Sequence, residues 1–254
     1  ADSTNRAVYK FDAETGEYKG LFAAGFLSGS APVSMVQSRL DGLMYVGRAD
    51  GSVLRFDPYT GEYKGILGAG FNSSLVGLAC STDGILYCAN SGSTGLILKF
   101  EAATGVYQGP IGQWNVNTGG QNTFVDGAYY WCTTTGGQVL KLDRITGQLL
   151  ASFSPPAPSA PRVMNDLANG QIGYASDASS GVQAGVLRVT QAGEYRGPIA
   201  PNWFGAIKDV EVLPDGRTLV DATIIGSPTN NVVGRFDRTT GQYSGLLAAN
   251  WGLS

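Results

Sequence analysis

Two carboxylates on one predicted strand are the residues in this chain best suited to chemistry. Asp209 and Glu211 are two residues apart, so their side chains leave the same face of a β-strand. Asn165 lies at a comparable place in the preceding sequence repeat, and calcium and magnesium prefer carboxylate and amide oxygens as ligands. These three residues are therefore a candidate site for a divalent cation. The alternative is that they line a hydrated interior and hold ordered water.

Other kinds of catalysis lack their usual residues. The chain of 254 residues contains no histidine, which removes the commonest general base and the commonest zinc ligand. The sequence shows no nucleophile–base pair and no phosphate-binding glycine loop. We therefore expect a protein that binds rather than catalyses. The alternative is a metal-dependent lyase or hydrolase that uses Asn165, Asp209 and Glu211.

The three cysteines are Cys80, Cys88 and Cys132, and their spacing is not that of a metal site. Cysteine is among the residue types most often buried, and we expect all three to lie in the core. A disulfide between Cys80 and Cys88, which flank a predicted hairpin turn, is the alternative.

Large aromatic residues recur after the last strand of successive repeats. They are Phe26, Phe71, Trp114, Trp203 and Trp251. One interpretation is that each ring is wedged between neighbouring repeats. The other is that the rings form stacking platforms on one face of the molecule, where a glycan or another flat ligand would bind.

One segment occurs six times and determines where all these residues lie. The copies read VYKFDAETGEYKG, VLRFDPYTGEYKG, ILKFEAATGVYQG, VLKLDRITGQLLA, VLRVTQAGEYRG and VGRFDRTTGQYSG. Their hydrophobic anchors are 42 to 47 residues apart: Phe11, Phe56, Phe100, Leu142, Val189 and Phe236. A period near 45 with short strands and no helical pattern indicates a β-propeller. We expect the six anchors to be buried at equivalent sites, one in each blade.

Each complete repeat predicts four antiparallel strands, A to D from the centre outward. The turn between strands A and B is Asp-Gly in four of the five complete repeats and Asn-Gly in the other, and such turns favour hairpins. The turn between strands C and D reads Asp-x-x-Thr-Gly in most copies. We expect its aspartate to accept hydrogen bonds from the turn amides and its glycine to take a positive φ. A calcium-binding loop is the alternative.

A cation precedes each anchor: Lys10, Arg55, Lys99, Lys141, Arg188 and Arg235. We expect the long stem to pack on the blade and the charged head to meet an acid at the blade edge. A functional ring of positive charge is the alternative.

The first blade is incomplete in the sequence. The pattern predicts a C–D hairpin over 6–22 followed by five four-stranded blades, all in one domain over 1–254, whereas six full periods need about 270 residues. Three explanations are open. Residues before Ala1 were removed, a partner or a second copy covers the open edge by strand addition, or the ring shrinks to five blades. The predicted fold is an all-β, six-bladed propeller with an incomplete N-terminal blade.

Blade phrases give the chain a family resemblance. DGLMY (41–45) with VLRFD (53–57), and DGILY (83–87) with ILKF (97–100), resemble NHL-type six-bladed propellers, including bacterial streptogramin-lyase-like proteins. The resemblance extends over essentially the whole chain. Streptogramin lyases are understood to use a histidine with a divalent metal, and this chain has no histidine for that role. The related gluconolactonase-like propellers hold a metal in the channel with carboxylates and amides, of which only the residue types match here.

Composition narrows the range of partners. The net charge is −3 and no cluster of lysine and arginine stands out, so we expect no nucleic-acid partner. No apolar run is long enough to span a membrane. The sequence begins at Ala1 without methionine, as a processed protein would, and we expect an extracellular, cell-surface or periplasmic protein. The sequence thus predicts a binding or structural module whose partner is a protein, a second copy or a glycan.

Overall fold

A computed structural model describes residues 5–23, 29–68, 75–90, 95–114, 123–154, 163–167, 170–176, 185–199, 207–213, 215, 217–224 and 227–249. These residues form antiparallel strands and no helix, and thus no helix with the length and apolar character to cross a membrane.

The strands form six separate sheets. Blade 1 consists of β1 (Val8–Phe11) and β2 (Tyr18–Ala23). The strands of blades 2 to 6 are, four to a blade, β3 (Pro32–Gln37), β4 (Met44–Arg48), β5 (Val53–Phe56), β6 (Tyr63–Gly68), β7 (Leu75–Cys80), β8 (Ile85–Asn90), β9 (Leu96–Glu101), β10 (Tyr107–Gln113), β11 (Thr123–Asp126), β12 (Tyr129–Thr133), β13 (Val139–Asp143), β14 (Leu149–Phe153), β15 (Val163–Asp166), β16 (Gln171–Ser176), β17 (Gly185–Thr190), β18 (Tyr195–Pro198), β19 (Ile207–Val212), β20 (Arg217–Ile224), β21 (Ser227–Asp237) and β22 (Tyr243–Ala249).

The blades are arranged as a propeller. Within each complete blade the strands pair in the order A, B, C, D, and the A strands are neighbours: β3 contacts β7, β7 contacts β11, β11 contacts β15, and β15 contacts β19. The protein is therefore an all-β propeller with five complete blades. The small sheet of β1 and β2 is consistent with an incomplete sixth blade. The predicted fold class is confirmed.

The core lies between blades rather than within one sheet. Tyr45 and Val53 of blade 2 pack against Leu86 and Phe100 of blade 3, and all four side chains are buried. A blade therefore needs a neighbour on each side to cover its two apolar faces, as expected for an array of sheets.

Five of the six anchors occupy the predicted buried sites: Phe56, Phe100, Leu142, Val189 and Phe236. The prediction is wrong for Phe11, which is only partly buried and packs on the ring of Tyr18 with 5.6 Å between ring centroids. In a complete blade the anchor pairs with a residue of strand B, as Phe56 does with Met44. Among the described residues, the sheet of blade 1 has no strand B to cover Phe11.

The turns between strands C and D have the predicted structure. In blade 2 the Asp57 carboxylate accepts the N–H groups of Tyr59, at 3.0 Å, and Thr60, at 2.8 Å, and Gly61 has a φ of +74°. Hydrogen bonds of this kind, first of all from the backbone of the turn threonine, hold the pKa of four turn aspartates below the ordinary value: Asp12, Asp57, Asp143 and Asp237. The turn carboxylates are thus engaged structurally.

The prediction that the cation before each anchor meets an acid is wrong for five of the six cations, whose heads reach backbone carbonyls instead. Five cations donate to the C–D turn of the following blade: Lys10 to Tyr59 O (3.0 Å), Arg55 to Ala103 O (3.2 Å), Lys99 to Ile145 O (3.3 Å), Arg188 to Thr239 O (2.5 Å) and Arg235 to Glu14 O (2.9 Å). The turn carbonyls carry partial negative charge and lie at the blade edge, so they satisfy these donors. We call these five contacts the clamp belt.

The same turns fit closely against the preceding blade. A Cβ atom added at Gly61 would lie 2.1 Å from Phe22 O of blade 1, and one added at Gly16 would lie 1.6 Å from Leu247 O of blade 6. Only glycine allows this approach. Because Gly16 and Arg235 join blades 6 and 1, the outer part of the ring is closed, and the hairpin of blade 1 is not displaced as a five-bladed ring would require.

The three cysteines are free thiols, so the alternative of a Cys80–Cys88 disulfide is not realised. In the ladder Cys80 pairs with Leu86 and Cys88 with Leu78, so the two cysteines are not opposite each other. Cys88 and Cys132 are fully buried between blades, and Cys80 is partly buried.

Candidate functional site

The two predicted carboxylates lie on the face of blade 6 that points toward blade 1. Glu211 on β19 pairs with Leu219, and Leu219 pairs with Arg235. Paired residues share a face of the sheet, and Arg235 extends to the backbone of Glu14 in blade 1. Asp209 is two residues before Glu211 and therefore belongs to the same face.

Among the complete blades, only blade 6 carries carboxylates at these two positions of strand A. In the ladders the positions of Asp209 and Glu211 correspond to Ser34 and Val36 in blade 2, to Gly77 and Ala79 in blade 3, and to Val163 and Asn165 in blade 5. Phe124 of blade 4 corresponds to Glu211. In each of those blades the face is covered by the next complete blade.

The structure brings the three predicted cation ligands together. Asp209 and Glu211 line a cavity of about 150 Å³ together with Leu219 and Val233. The Asn165 amide nitrogen donates to Glu211 Oε2 and to the carbonyl oxygen of Val210, at 3.0 Å each. The Asn165 amide thus directs its nitrogen toward Glu211, and the side chain would have to rotate before its oxygen could bind a cation.

The surroundings of both carboxylates raise their pKa values. Burial raises the pKa of Asp209 to about 6, against a smaller opposing effect of the Val210 N–H. Glu211 is exposed at the edge of the cavity, yet loss of surrounding water is still the main cause that raises its pKa to about 7. Repulsion from Asp209 adds to this rise, whereas the hydrogen bond from Asn165, the N–H of Val212 and the positive charge of Arg39 in blade 2 oppose it. Among the described residues, neither carboxylate forms a salt bridge.

The arrangement is compatible with a hard cation but does not by itself amount to a cation site. Within the described parts of the chain, no three acidic or cysteine side chains are grouped closely enough to hold a metal. Calcium takes six to eight oxygen ligands, so two carboxylates would leave most positions to water. The cation site therefore stays a prediction.

Of the five aromatic residues predicted to line one face, Trp114 lies within the described residues. Its side chain is partly buried and packs against the apolar cluster between blades 3 and 4, which includes Ile111 and Tyr130. The other four lie outside the described residues: Phe26, Phe71, Trp203 and Trp251. The aromatic ligand site stays a prediction.

Sequence reasoning missed the surface that faces the two carboxylates. Met35 and Met44 of blade 2 pack beside Val8 of blade 1 and remain partly exposed. Their ladder equivalents in blades 3 to 6 are all buried. Those of Met35 are Leu78, Thr123, Met164 and Val210, and those of Met44 are Leu86, Tyr130, Ile172 and Thr218. A position-by-position comparison of the repeats, together with the prediction of an incomplete first blade, could have found this surface.

We call the space between these two surfaces the blade 1 gap. Its acidic side is Asp209 and Glu211 of blade 6, its apolar side is Met35 and Met44 of blade 2, and β1 lies at its outer end. Within the described residues, no strand of blade 1 lies inward of β1. The gap occupies the place where strands A and B of blade 1 would lie.

Comparisons with known proteins support the fold and nothing finer. No protein-family profile and no curated protein matches the chain. A chain of the nidogen/laminin complex is similar in structure, with a TM-score of 0.74 and 11% identity over 95% of this chain and 90% of that one. A chain of the hydrazine synthase of Kuenenia stuttgartiensis has a TM-score of 0.62 and 15% identity over 83% of this chain and 64% of that one. A chain of the mitotic checkpoint complex has a TM-score of 0.60 and 14% identity over 90% of this chain and 68% of that one. At these identities the likeness shows a β-propeller fold, and the NHL family stays a prediction.

Proposed function

We propose that the protein is an interaction module that binds a protein partner by strand addition in the blade 1 gap. The observation that carries this proposal is the two-stranded sheet of blade 1 in a ring whose outer part is closed. In complete blades strand C pairs on both sides, whereas within the described residues β1 pairs only with β2. An open strand edge offers backbone donors and acceptors to an incoming strand.

Two further features support binding rather than another role for the gap. Its apolar side is made of methionines, whose flexible side chains adapt to different surfaces. The similar propeller chain from the nidogen/laminin complex belongs to an assembly with another protein, and propellers commonly serve as binding modules. The NHL-like blade phrases lead us to propose a blade type of that family.

A hairpin copied from the chain itself tests the proposal. Residues 75–90 form strands A and B of blade 3, and a backbone-cyclised peptide of this sequence with both cysteines changed to alanine supplies a preformed hairpin. We expect it to bind the chain and to slow deuterium exchange at the amides of Val8–Phe11. A control peptide with Tyr87→Pro loses a ladder donor and should bind much more weakly.

Two results would count against the proposal. If neither the free peptide nor the same hairpin fused before Ala1 protects the β1 amides, the gap does not accept strands. If sedimentation shows that the chain self-associates and the hairpin dissolves the assembly, the partner is a second copy, which is the alternative left open by the sequence.

A second candidate function is metal-dependent lyase or hydrolase activity at Asn165, Asp209 and Glu211. The cavity and the raised pKa of Glu211, which suits a general base, favour it. We expect calorimetric titration with calcium, magnesium and zinc to show no site tighter than about micromolar, because only two carboxylates converge. A tighter site that is lost in the Glu211→Gln variant would favour the enzyme instead. A glycan array tests the aromatic residues in the same way.

A further inference from the structure

We propose that the segment completing blade 1 is a β-hairpin of a partner protein, and that its inner strand carries a lysine or arginine that pairs with Asp209 and Glu211. This inference rests on the proposed function and adds the chemistry of the partner. It depends on how complete blades meet, on the charge of blade 6, and on the sequences of the hairpins that the chain already has.

The interface between blades 2 and 3 shows which residue of a hairpin would face the carboxylates. Ser34 Oγ accepts the N–H of Leu78 at 2.9 Å, and a Cβ atom added at Gly47 would lie 3.3 Å from Leu78 Cδ1. Asp209 occupies the ladder position of Ser34. A hairpin in the blade 1 gap would therefore place its Leu78-equivalent residue against Asp209.

A covered carboxylate requires a partner at this position. Strand addition would remove the remaining water from Asp209 and Glu211, and burying an unpaired charge is costly. A lysine or arginine at the Leu78-equivalent position would supply the opposite charge, and the backbone N–H of that residue would supply a further donor to Asp209 in place of the bond to Ser34.

The chain's own hairpins have no cation at this one position. At the position of Leu78 they carry uncharged residues in every complete blade: Met35, Leu78, Thr123, Met164 and Val210. A swapped hairpin from a second copy would therefore bring no cation to this position. Charge complementarity thus favours a hairpin from a different protein over one from a copy of this chain.

The apolar side of the gap indicates that the other face of the partner hairpin carries apolar residues. Met35 and Met44 are partly exposed where their equivalents in the other blades are buried. Side chains alternate along a strand, so one hairpin can direct a cation toward blade 6 and apolar residues toward these methionines. The expected partner segment is therefore amphipathic, with a cation on one face and apolar residues on the other.

Three cyclised peptides test the inference. Each contains residues 75–90 with both cysteines changed to alanine, and they differ only in having leucine, lysine or glutamate at position 78. At pH 8 and low salt we expect calorimetry to show the lysine peptide binding about tenfold more tightly than the leucine peptide, because a partly desolvated ion pair forms. The glutamate peptide should bind most weakly.

The protein variant Asp209→Asn/Glu211→Gln completes the cycle. It keeps the shape of both side chains and should bind the lysine and leucine peptides equally, with circular dichroism confirming its fold. Equal binding of the three peptides by the unchanged protein would overturn the inference while leaving the proposed function intact, whereas no binding by any peptide would remove both. If a form of the chain extended before Ala1 binds none of them, the occupant belongs to the same chain and the partner hairpin is excluded.

Discussion

The outer and inner parts of this propeller are closed to different extents. In the outer part, Lys10 of blade 1 reaches the turn of blade 2 and Arg235 of blade 6 reaches the turn of blade 1, so contacts run through the incomplete blade. In the inner part, contacts between A strands run from β3 to β19, and no comparable contact joins β19 to β3 among the described residues. In the described part of the chain, the ring is therefore closed through its outer hairpins but not through the A strands of blades 6 and 2.

The two parts also use different kinds of contact. The contacts of the clamp belt and of the turn glycines are made to backbone atoms and hardly depend on the side chains of the next blade, although an ion pair between Arg217 and Glu14 also joins blades 6 and 1. Inner contacts depend on matched side chains, such as Leu78 over Ser34. The belt therefore passes through blade 1 even though only β1 and β2 form its sheet among the described residues.

The largest expected effect comes from opening the outer part of the ring. Gly16→Ala places a Cβ atom 1.6 Å from Leu247 O and forces alanine to a φ of +73°. We expect it to lower the free energy of unfolding by about 2–4 kcal/mol, from overpacking and an unfavourable backbone conformation. Differential scanning calorimetry should show a fall in Tm of roughly 5–15 °C for a chain of this size.

Gly20→Ala in the same hairpin is the matched control. Its φ is +97°, and a Cβ atom there would meet nothing within 4 Å. It should carry only the backbone cost, about 1 kcal/mol. Equal losses at positions 16 and 20 would mean that blade 6 does not hold blade 1.

The repeat made most of the fold predictable. The six copies of the C–D turn specify the blade, because the same hydrogen bonds to Asp57 recur in the turns of Asp12, Asp143 and Asp237. Burial of Phe56 and its equivalents followed from the same pattern. Phe11 departs from it for a reason that lies outside its own segment, since no described strand takes the place of strand B beside β1.

The candidate site was predictable in part. The spacing of Asp209 and Glu211 placed them on one face, and Asn165 is indeed beside Glu211. Which face they occupy, and that it points toward the incomplete blade, depends on strand register, which the sequence alone does not determine. The carbonyl partners of the cations were mistaken for acids because backbone groups leave no trace in residue types.

A smaller effect is expected from removing one contact of the clamp belt. Arg235→Met keeps the length of the stem and removes the hydrogen bond to Glu14 O. We expect a loss of about 1–2 kcal/mol in chemical unfolding, since a charged donor to a carbonyl contributes about that much.

Lys141→Met is the control for this substitution, because Lys141 does not join the belt. Its ammonium group lies over the ring of Tyr129, 3.7 Å from the centroid, and the fifth turn that it would reach is one residue shorter than the others. Losing this cation–π contact should cost about 0.5–1 kcal/mol. If Lys141→Met proves more damaging than Arg235→Met, the belt does not govern closure.

The smallest effect concerns the inner part and depends on pH. The pKa values of Asp209 and Glu211 in the folded protein, about 6 and about 7, exceed their ordinary values of 3.8 and 4.5. Between about pH 4 and 7 the folded chain therefore binds more protons than the unfolded chain, and these two groups make the protein less stable as the pH rises. Asp209→Asn/Glu211→Gln should raise Tm at pH 8 by about 2–4 °C, and the gain should disappear near pH 4.

Asp57→Asn should change Tm at pH 8 in the opposite direction, which distinguishes a turn carboxylate in the outer part of the ring from the carboxylates of the blade 1 gap. The turn hydrogen bonds lower the pKa of Asp57 below 3.8, so this carboxylate stabilises the fold above that pH and ceases to do so as it is protonated. The variant should have a lower Tm than the unchanged protein at pH 8, and the difference should shrink below about pH 4. Melting curves of both variants across pH 3–8 would give two slopes of opposite sign, one from an outer turn and one from the blade 1 gap. Parallel slopes would mean that the gap carboxylates are as well solvated and paired as those of the turns, and the reason for expecting a cationic partner would be lost.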